Sequence, residues 1–225
     1  MNRLTRRAAA AALASAALLA AAPVLAQDPP RVKLATTAGD IVIELYPDKA
    51  PKTVENFLQY VREKHYDGTV FHRVIDNFMV QAGGYDANLV EKKTRPPIAH
   101  EGRDALARGL KNQAGYVAMA RTNDPNSASA QFFINVKDNA FLDPTPIPPG
   151  DPVPRFEYQG RVYENVPRSQ LERASQLYGY TVFGKVVAGM DVVNKIKALP
   201  TGAQGPFPTD VPKPLVTITG ATLVK

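Results

Sequence analysis

Eight short apolar runs, none longer than ten residues, are spread along this 225-residue chain, and only two stretches carry the period of a helix. The runs are Val32–Thr37, Asp40–Tyr46, Thr69–Ile75, Phe78–Gln81, Tyr116–Ala120, Gln131–Val136, Thr181–Val187 and Leu215–Val224. In the second, Ile41, Ile43 and Leu45 alternate with Val42 and Glu44, as in a strand with one face on a core. Ala38-Gly39 reads as the turn of a hairpin joining the first two. The helical stretches are PKTVENFLQYVREKHY, with Val54, Phe57, Leu58 and Val61 at i, i+3, i+4 and i+7, and Met190–Leu199, ended by Pro200. Many short strands with two helices predict an all-β sandwich or closed barrel whose ends the helices cover.

The first residues stand apart from this pattern. MNRLTRR carries three arginines and no acid, the run Ala8–Ala22 is rich in alanine and leucine, and Val24-Leu25-Ala26 offers a small-residue exit. That is the layout of an export signal, cleaved after Ala26, which leaves one domain over 27–225 with no stable membrane anchor. Thr5-Arg6-Arg7 permits the twin-arginine route beside general secretion. The expected location is outside the inner membrane, in the periplasm.

Charge excludes one class of partner. The chain has 27 basic and 21 acidic residues, and loss of the signal leaves 24 basic against the same 21, a net +3. No basic run with interleaved aromatics remains, so nucleic acid is not an expected partner. With no cysteine, an exported chain holds together by its core alone and has no thiol chemistry. His65, His72 and His100 fall at no ligand spacing, so no metal is expected and all three read as structural or surface residues.

One region breaks the compact pattern. DPTPIPPGDPVP, residues 143–154, holds six prolines and reads as an extended loop. FEYQGRVY suggests a small hairpin about Gln159-Gly160, and Ser169–Tyr178 a short helix closed by Gly179. An insertion over about 143–178 is long for a connection, which makes it a functional or a surface elaboration.

FHRVIDNFMVQAGG, residues 71–84, sets Arg73 and Gln81 among large apolar residues. Burying a cation without a partner is costly, so the segment is either a strand with Arg73 in solvent or the floor of a pocket offering one cation and one amide. The theme of apolar segments that each contribute one polar group recurs in VAMARTNDPNSASAQFFINV and NAFLD. Alone, Met79 and Phe133 read as barrel core and Gln81 as a sheet-edge amide. His72, of opposite strand parity to Arg73, reads as structural.

In this order, these segments closely resemble the cyclophilin-type peptidyl-prolyl cis/trans isomerases, especially bacterial exported members, over Val32–Leu142 and Gly179–Val224. The resemblance implies an all-β fold: an eight-stranded antiparallel β-barrel capped by two α-helices, here with a Pro-rich insertion. It implies that Arg73 is the catalytic arginine. Phe78 and Met79 would wall the proline pocket, and Gln81 would hydrogen-bond the substrate and steady Arg73. Ala120 would line the groove floor, the Arg121 backbone would be the strand edge for the peptide, and Gln131, Phe133, Phe141 and Leu142 would complete the pocket. Tyr180 stands where many relatives have histidine, and Phe141 where many eukaryotic members have the tryptophan associated with cyclosporin. The family implies proline-containing peptides and folding client proteins as partners, no cofactor and a monomer. An alternative is a peptide-holding chaperone or interaction module using the same groove.

Overall fold

The computed structural model describes residues 28–224; the expected signal, residues 1–26, and Gln27 lie outside them. β1 (Arg31–Thr36) and β2 (Gly39–Leu45) form the expected hairpin and lead to α1 (Pro51–Arg62). β3 (Arg73–Ile75), β4 (Met79–Ala82), α2 (Gly102–Ala107), β5 (Tyr116–Met119) and β6 (Phe132–Asn135) follow. The insertion contributes β7 (Val153–Tyr158), β8 (Arg161–Val166) and α3 (Arg168–Arg173). The chain ends with β9 (Val182–Ala188), α4 (Met190–Lys197), β10 (Thr201–Gln204), β11 (Phe207–Pro212) and β12 (Ile218–Val224).

Eight of these strands form one antiparallel sheet in the order β12-β1-β2-β9-β5-β6-β4-β3. The sheet curls until its edges meet, where the Phe71 N–H donates to the Val216 carbonyl at 2.9 Å and the Ile218 N–H to the Thr69 carbonyl at 2.7 Å. Curling gives each strand one inward face. Val32, Leu34, Ile41, Ile43 and Leu45 are fully buried at alternate positions. α1 adds Val54, Phe57, Tyr60 and Val61 to the same core, and α4 adds Val193 and Ile196. At its centre the Phe57 ring lies 5.1 Å from Tyr66, 5.5 Å from Phe132 and 5.1 Å from Phe183.

The expected pair of capping helices is α1 and α4, the short helix expected in the insertion is α3, and α2 occurs besides among the described residues. α2 is only six residues long, too short for an amphipathic period to register. α3 stops at Arg173 rather than running to Tyr178, because Ala174 turns extended (φ −74°, ψ 100°). α1 ends before the expected Tyr66, since Lys64 takes a left-handed φ of 55°. The hairpin β10–β11 is absent from the sequence reading. Its segment TGAQGPFPTDVP holds three prolines and two glycines, a loop composition, and it pairs only two-stranded, outside the main ladder.

The insertion leaves and rejoins the barrel at one point. Tyr180 N–H donates to the Leu142 carbonyl and Thr145 N–H to the Leu177 carbonyl, both at 2.9 Å. Gly179, at φ +60°, is required there, because a Cβ would collide with the backbone of Leu142–Pro144. Val153, Phe156, Leu171 and Leu177 give the insertion its own small core.

Candidate active site

The register of three strands assembles the first part of the site. Arg73 of β3 lies opposite Gln81 of β4, and Gln81 opposite Phe133 of β6, so the three side chains share one face in a single row. Met79, two residues before Gln81, falls in the next row opposite Ile75 and Asn135, and is buried. A cation, an amide and an aromatic ring side by side are thus a consequence of pairing, not of proximity in sequence.

Loops add the walls. Phe78 stacks on Phe141 with ring centres 5.7 Å apart and planes at 24°, and Phe141 remains 74% exposed. Leu142, on the same short turn, is buried. Tyr180 meets Phe133 edge-on at 5.5 Å, and Arg121 stacks on the other partner of that contact, its guanidinium 4.7 Å from the Tyr180 ring centre. Arg121 Nε also donates to the Gly179 carbonyl at 2.8 Å, tying the groove edge to the base of the insertion. Ala120 N–H donates to the Gln131 carbonyl at 2.9 Å, which places both beside Gln81. A polar cavity of about 230 Å³ opens there, lined in part by Glu91, Thr122 and Ser127. All eleven residues named from the sequence surround the groove built on β3, β4 and β6 and its rim.

Two details go beyond the sequence reading. Gln81 Nε2 donates to Gln131 Oε1 at 2.9 Å, so a second glutamine orients the amide that lies opposite Arg73. The side-chain partner of Arg73 is Asp210 of β11, whose carboxylate lies 3.8 Å from Arg73 Nε. Asp210 was missed because nothing in PTDVP distinguishes it from any loop aspartate. Only the packing of β11 beside β3 gives it a role. With Arg73 44% and Asp210 33% exposed, the pair is a weak restraint. It occupies the Nε side and leaves the terminal nitrogens free to donate.

Beside Arg73, His72 is buried outside the barrel core, against the small apolar cluster of Val70, Leu89 and Val211 to which Tyr85 and Phe207 belong, whereas Phe71 and Val74 point into the barrel. His72 is 2% exposed, between the rings of Tyr85 at 4.7 Å and Phe207 at 5.4 Å. Burial lowers its pKa to about 4, and the neighbouring Arg73 charge acts in the same direction. His100 is also lowered to about 4, by burial first and by Arg121 next. Neither shares the Arg73 row. Among the described residues no group of three His, Cys, Asp or Glu side chains could hold a metal ion.

The His72 shift sets a pH dependence of stability. The folded pKa lies below the unfolded 6.5, so the unfolded chain binds the proton first and acid favours unfolding. The contribution is complete above pH 6.5 and is lost as pH falls toward 4, to the extent of about 3 kcal/mol. Urea unfolding at pH 7 and pH 4 is expected to show a loss that is smaller by about this amount in His72→Phe. An equal loss in both proteins would refute the role.

This arrangement can hold an apolar ring against Phe133, Met79 and Leu142 while a permanently charged donor meets a polar atom at the ring's edge. Comparison with known proteins agrees. The family model described as cyclophilin type peptidyl-prolyl cis-trans isomerase/CLD matches residues 31–223. Peptidyl-prolyl cis-trans isomerase cyp18 of Streptomyces antibioticus is 47% identical over 193 residues, covering 86% of this chain and 98% of the relative. Peptidyl-prolyl cis-trans isomerase B of Escherichia coli K12 is 45% identical over 192 residues, covering 85% and 98%. The crystal structure of a Cryptosporidium parvum cyclophilin type isomerase has the same fold at 20% identity (TM-score 0.60, 88% of this chain and 98% of that one), and the same protein has also been solved in the presence of the dipeptide Ala-Pro. Matched by its family model almost from end to end of the described residues, and by enzymes at this identity over nearly their full length, the chain belongs to the cyclophilin-type peptidyl-prolyl cis/trans isomerases.

Proposed function

We propose that isomerisation takes place in the groove over β3, β4 and β6, on X-Pro bonds of exported proteins as they fold, with Arg73 as the catalytic residue. The observation that carries this reading is the single row Arg73, Gln81, Phe133. The proline ring packs on Phe133, Met79 and Leu142, with Phe78, Phe141 and Tyr180 at the rim. Gln81, Gln131, Ala120 and the Arg121 backbone engage the substrate's carbonyl and amide groups.

Rotation about the X-Pro amide faces a barrier of about 18–20 kcal/mol because the nitrogen lone pair is delocalised into the carbonyl. Twisting localises that lone pair and makes the nitrogen a better acceptor. A guanidinium donates without surrendering its proton, so Arg73 stabilises the twisted state more than either planar one. The apolar floor excludes water and strengthens that hydrogen bond. No bond is broken and no proton is transferred.

The test is exchange NMR on a short X-Pro peptide with catalytic amounts of the protein. Cis/trans exchange is expected to accelerate while Gln81, Phe133 and Tyr180 resonances shift. Acceleration with shifts confined elsewhere would refute this groove.

Export rests on the arginine-rich start, the alanine-rich run and the Val24-Leu25-Ala26 exit. A periplasmic fraction from a bacterial host is expected to yield a protein whose N-terminal residue is Gln27. An intact Met1 in the soluble cell interior would refute both the signal and the boundary of a 27–225 domain. Unfolded or folding polypeptides are the expected clients, met by a monomer.

A further inference from the structure

One cavity among the described residues lies outside the isomerase groove. It encloses about 720 Å³ between α2 and the insertion, well within the size of a ligand site. Its wall is mostly apolar: Leu106 and Ala107 of α2 face Pro144, Pro146 and Ile147 of the insertion. Five charged side chains complete it, and they are not equally engaged. Asp143 Oδ1 accepts from the backbone and side-chain nitrogens of Asn112 at 2.7 and 3.0 Å. Arg168 and Glu172 pair with each other at 3.1 Å, and Arg168 also donates to the Pro148 carbonyl at 2.7 Å.

Arg103 is different. Its guanidinium stacks on the Tyr178 ring at 4.4 Å, but its Nε and Nη2 are shielded from solvent with no hydrogen-bond acceptor. An unmade hydrogen bond at a charged donor shielded from water is costly, and a turn of the Arg103 side chain toward the cavity would let an arriving acceptor restore it. Lys111, exposed on the same wall, adds a second positive charge with no carboxylate within ion-pair distance among the described residues. Three cations, Arg103, Lys111 and Arg168, against two carboxylates, Asp143 and Glu172, leave the cavity one net positive charge inside an apolar wall.

We propose that this cavity is a second polypeptide-binding site, which takes a client segment carrying one carboxylate side chain between apolar residues. Its position suits that occupant. Asp143 of the cavity follows Leu142 of the groove, and Tyr178, stacked under Arg103, lies two residues before Tyr180 of the groove rim. A chain held in the cavity therefore presents its neighbouring prolines to Arg73 at a raised local concentration. The choice of polypeptide as occupant rests on the reading of folding chains as substrates, whereas the charge imbalance of the cavity does not.

The test uses a proline-free probe, so that the groove does not compete for it. The methyl-labelled protein is titrated with acetyl-Leu-Glu-Leu-Leu-amide and with the same peptide carrying Gln for Glu. Saturable shifts of the Leu106 and Ile147 methyls are expected, with the acidic peptide bound about ten-fold tighter, equivalent to about 1.4 kcal/mol. Arg103→Gln is expected to abolish that preference. Lys111→Glu, at an exposed position that disturbs no packing, is expected to do the same. Turnover of a short X-Pro peptide should be unchanged in both variants. The proposal is overturned by equal binding of the two peptides, by absence of saturable shifts, by shifts in the groove alone, or by inorganic phosphate giving the same shifts at the same concentration. A protein that binds the acidic peptide in the cavity yet fails to isomerise would refute the groove assignment and leave this one standing.

Discussion

Arg73→Ala is expected to turn over a short X-Pro peptide about 10²–10³-fold more slowly than the parent protein, the loss typical of removing one preorganised donor to a transition state. Exchange NMR or a coupled proteolytic assay measures it. The size follows from what Arg73 does and does not touch. Raising an uncatalysed rate of about 0.01 per second to about 1,000 requires roughly 7 kcal/mol, and a charged donor in an apolar groove supplies about half of that. Binding and orientation by Gln81, Phe133 and Met79 supply the rest and survive the substitution. Stability is expected to move by less than about 1 kcal/mol, since the only ion pair lost is the half-exposed one to Asp210. Circular dichroism and urea unfolding separate the two effects. A variant that retains full turnover would remove Arg73 from catalysis. One that unfolds would make the activity loss uninformative, and Arg73→Lys, which keeps the charge without the planar fork, then carries the test.

The largest expected effect on stability lies in a contact that joins residues 48 positions apart. α1 begins at Pro51 with Ala50 at its cap position, a residue that cannot accept a hydrogen bond through its side chain. The buried Glu101 takes that place. Its carboxylate accepts from Lys52 N at 3.1 Å, Thr53 N at 2.8 Å and Thr53 Oγ1 at 2.7 Å. A negative charge at the first turn also complements the helix dipole. Glu101→Ala leaves these donors facing a void, so a destabilisation of about 2–4 kcal/mol is expected from lost charge-assisted bonds and unsatisfied N–H groups. Glu101→Gln is expected to recover only part of this, because its amide NH₂ meets donors rather than acceptors. Urea unfolding of the three proteins is the measurement. A change below about 0.5 kcal/mol in the alanine variant, the level of an ordinary surface substitution, would show that water caps α1 equally well.

Much of this protein is legible in its sequence. The alternation of Ile41, Ile43 and Leu45 marks the inward face of a strand, and Val54, Phe57, Leu58 and Val61 mark the inward face of α1. In both cases backbone periodicity sends regularly spaced side chains to one side, and a core claims that side. The motif FHRVIDNFMVQAGG pointed to Arg73 and Gln81 because a polar side chain among apolar neighbours is costly unless something binds it. These are local statements, and local statements survive without a tertiary structure.

What the sequence withheld is long-range. That Asp210 meets Arg73, that Glu101 caps α1, that Gln131 orients the Gln81 amide, and that α2 and the insertion line a cavity beside Arg103 all depend on segments brought together in the folded chain. A carboxylate looks the same in sequence whether it faces water or a guanidinium. The hairpin β10–β11 was hidden for a related reason: its prolines are incompatible with a central strand, and only its place outside the main ladder allows them. Periodicity determined which faces are buried. Closure of the barrel decided which polar groups meet, because that choice depends on distance in space and leaves no local mark in the chain.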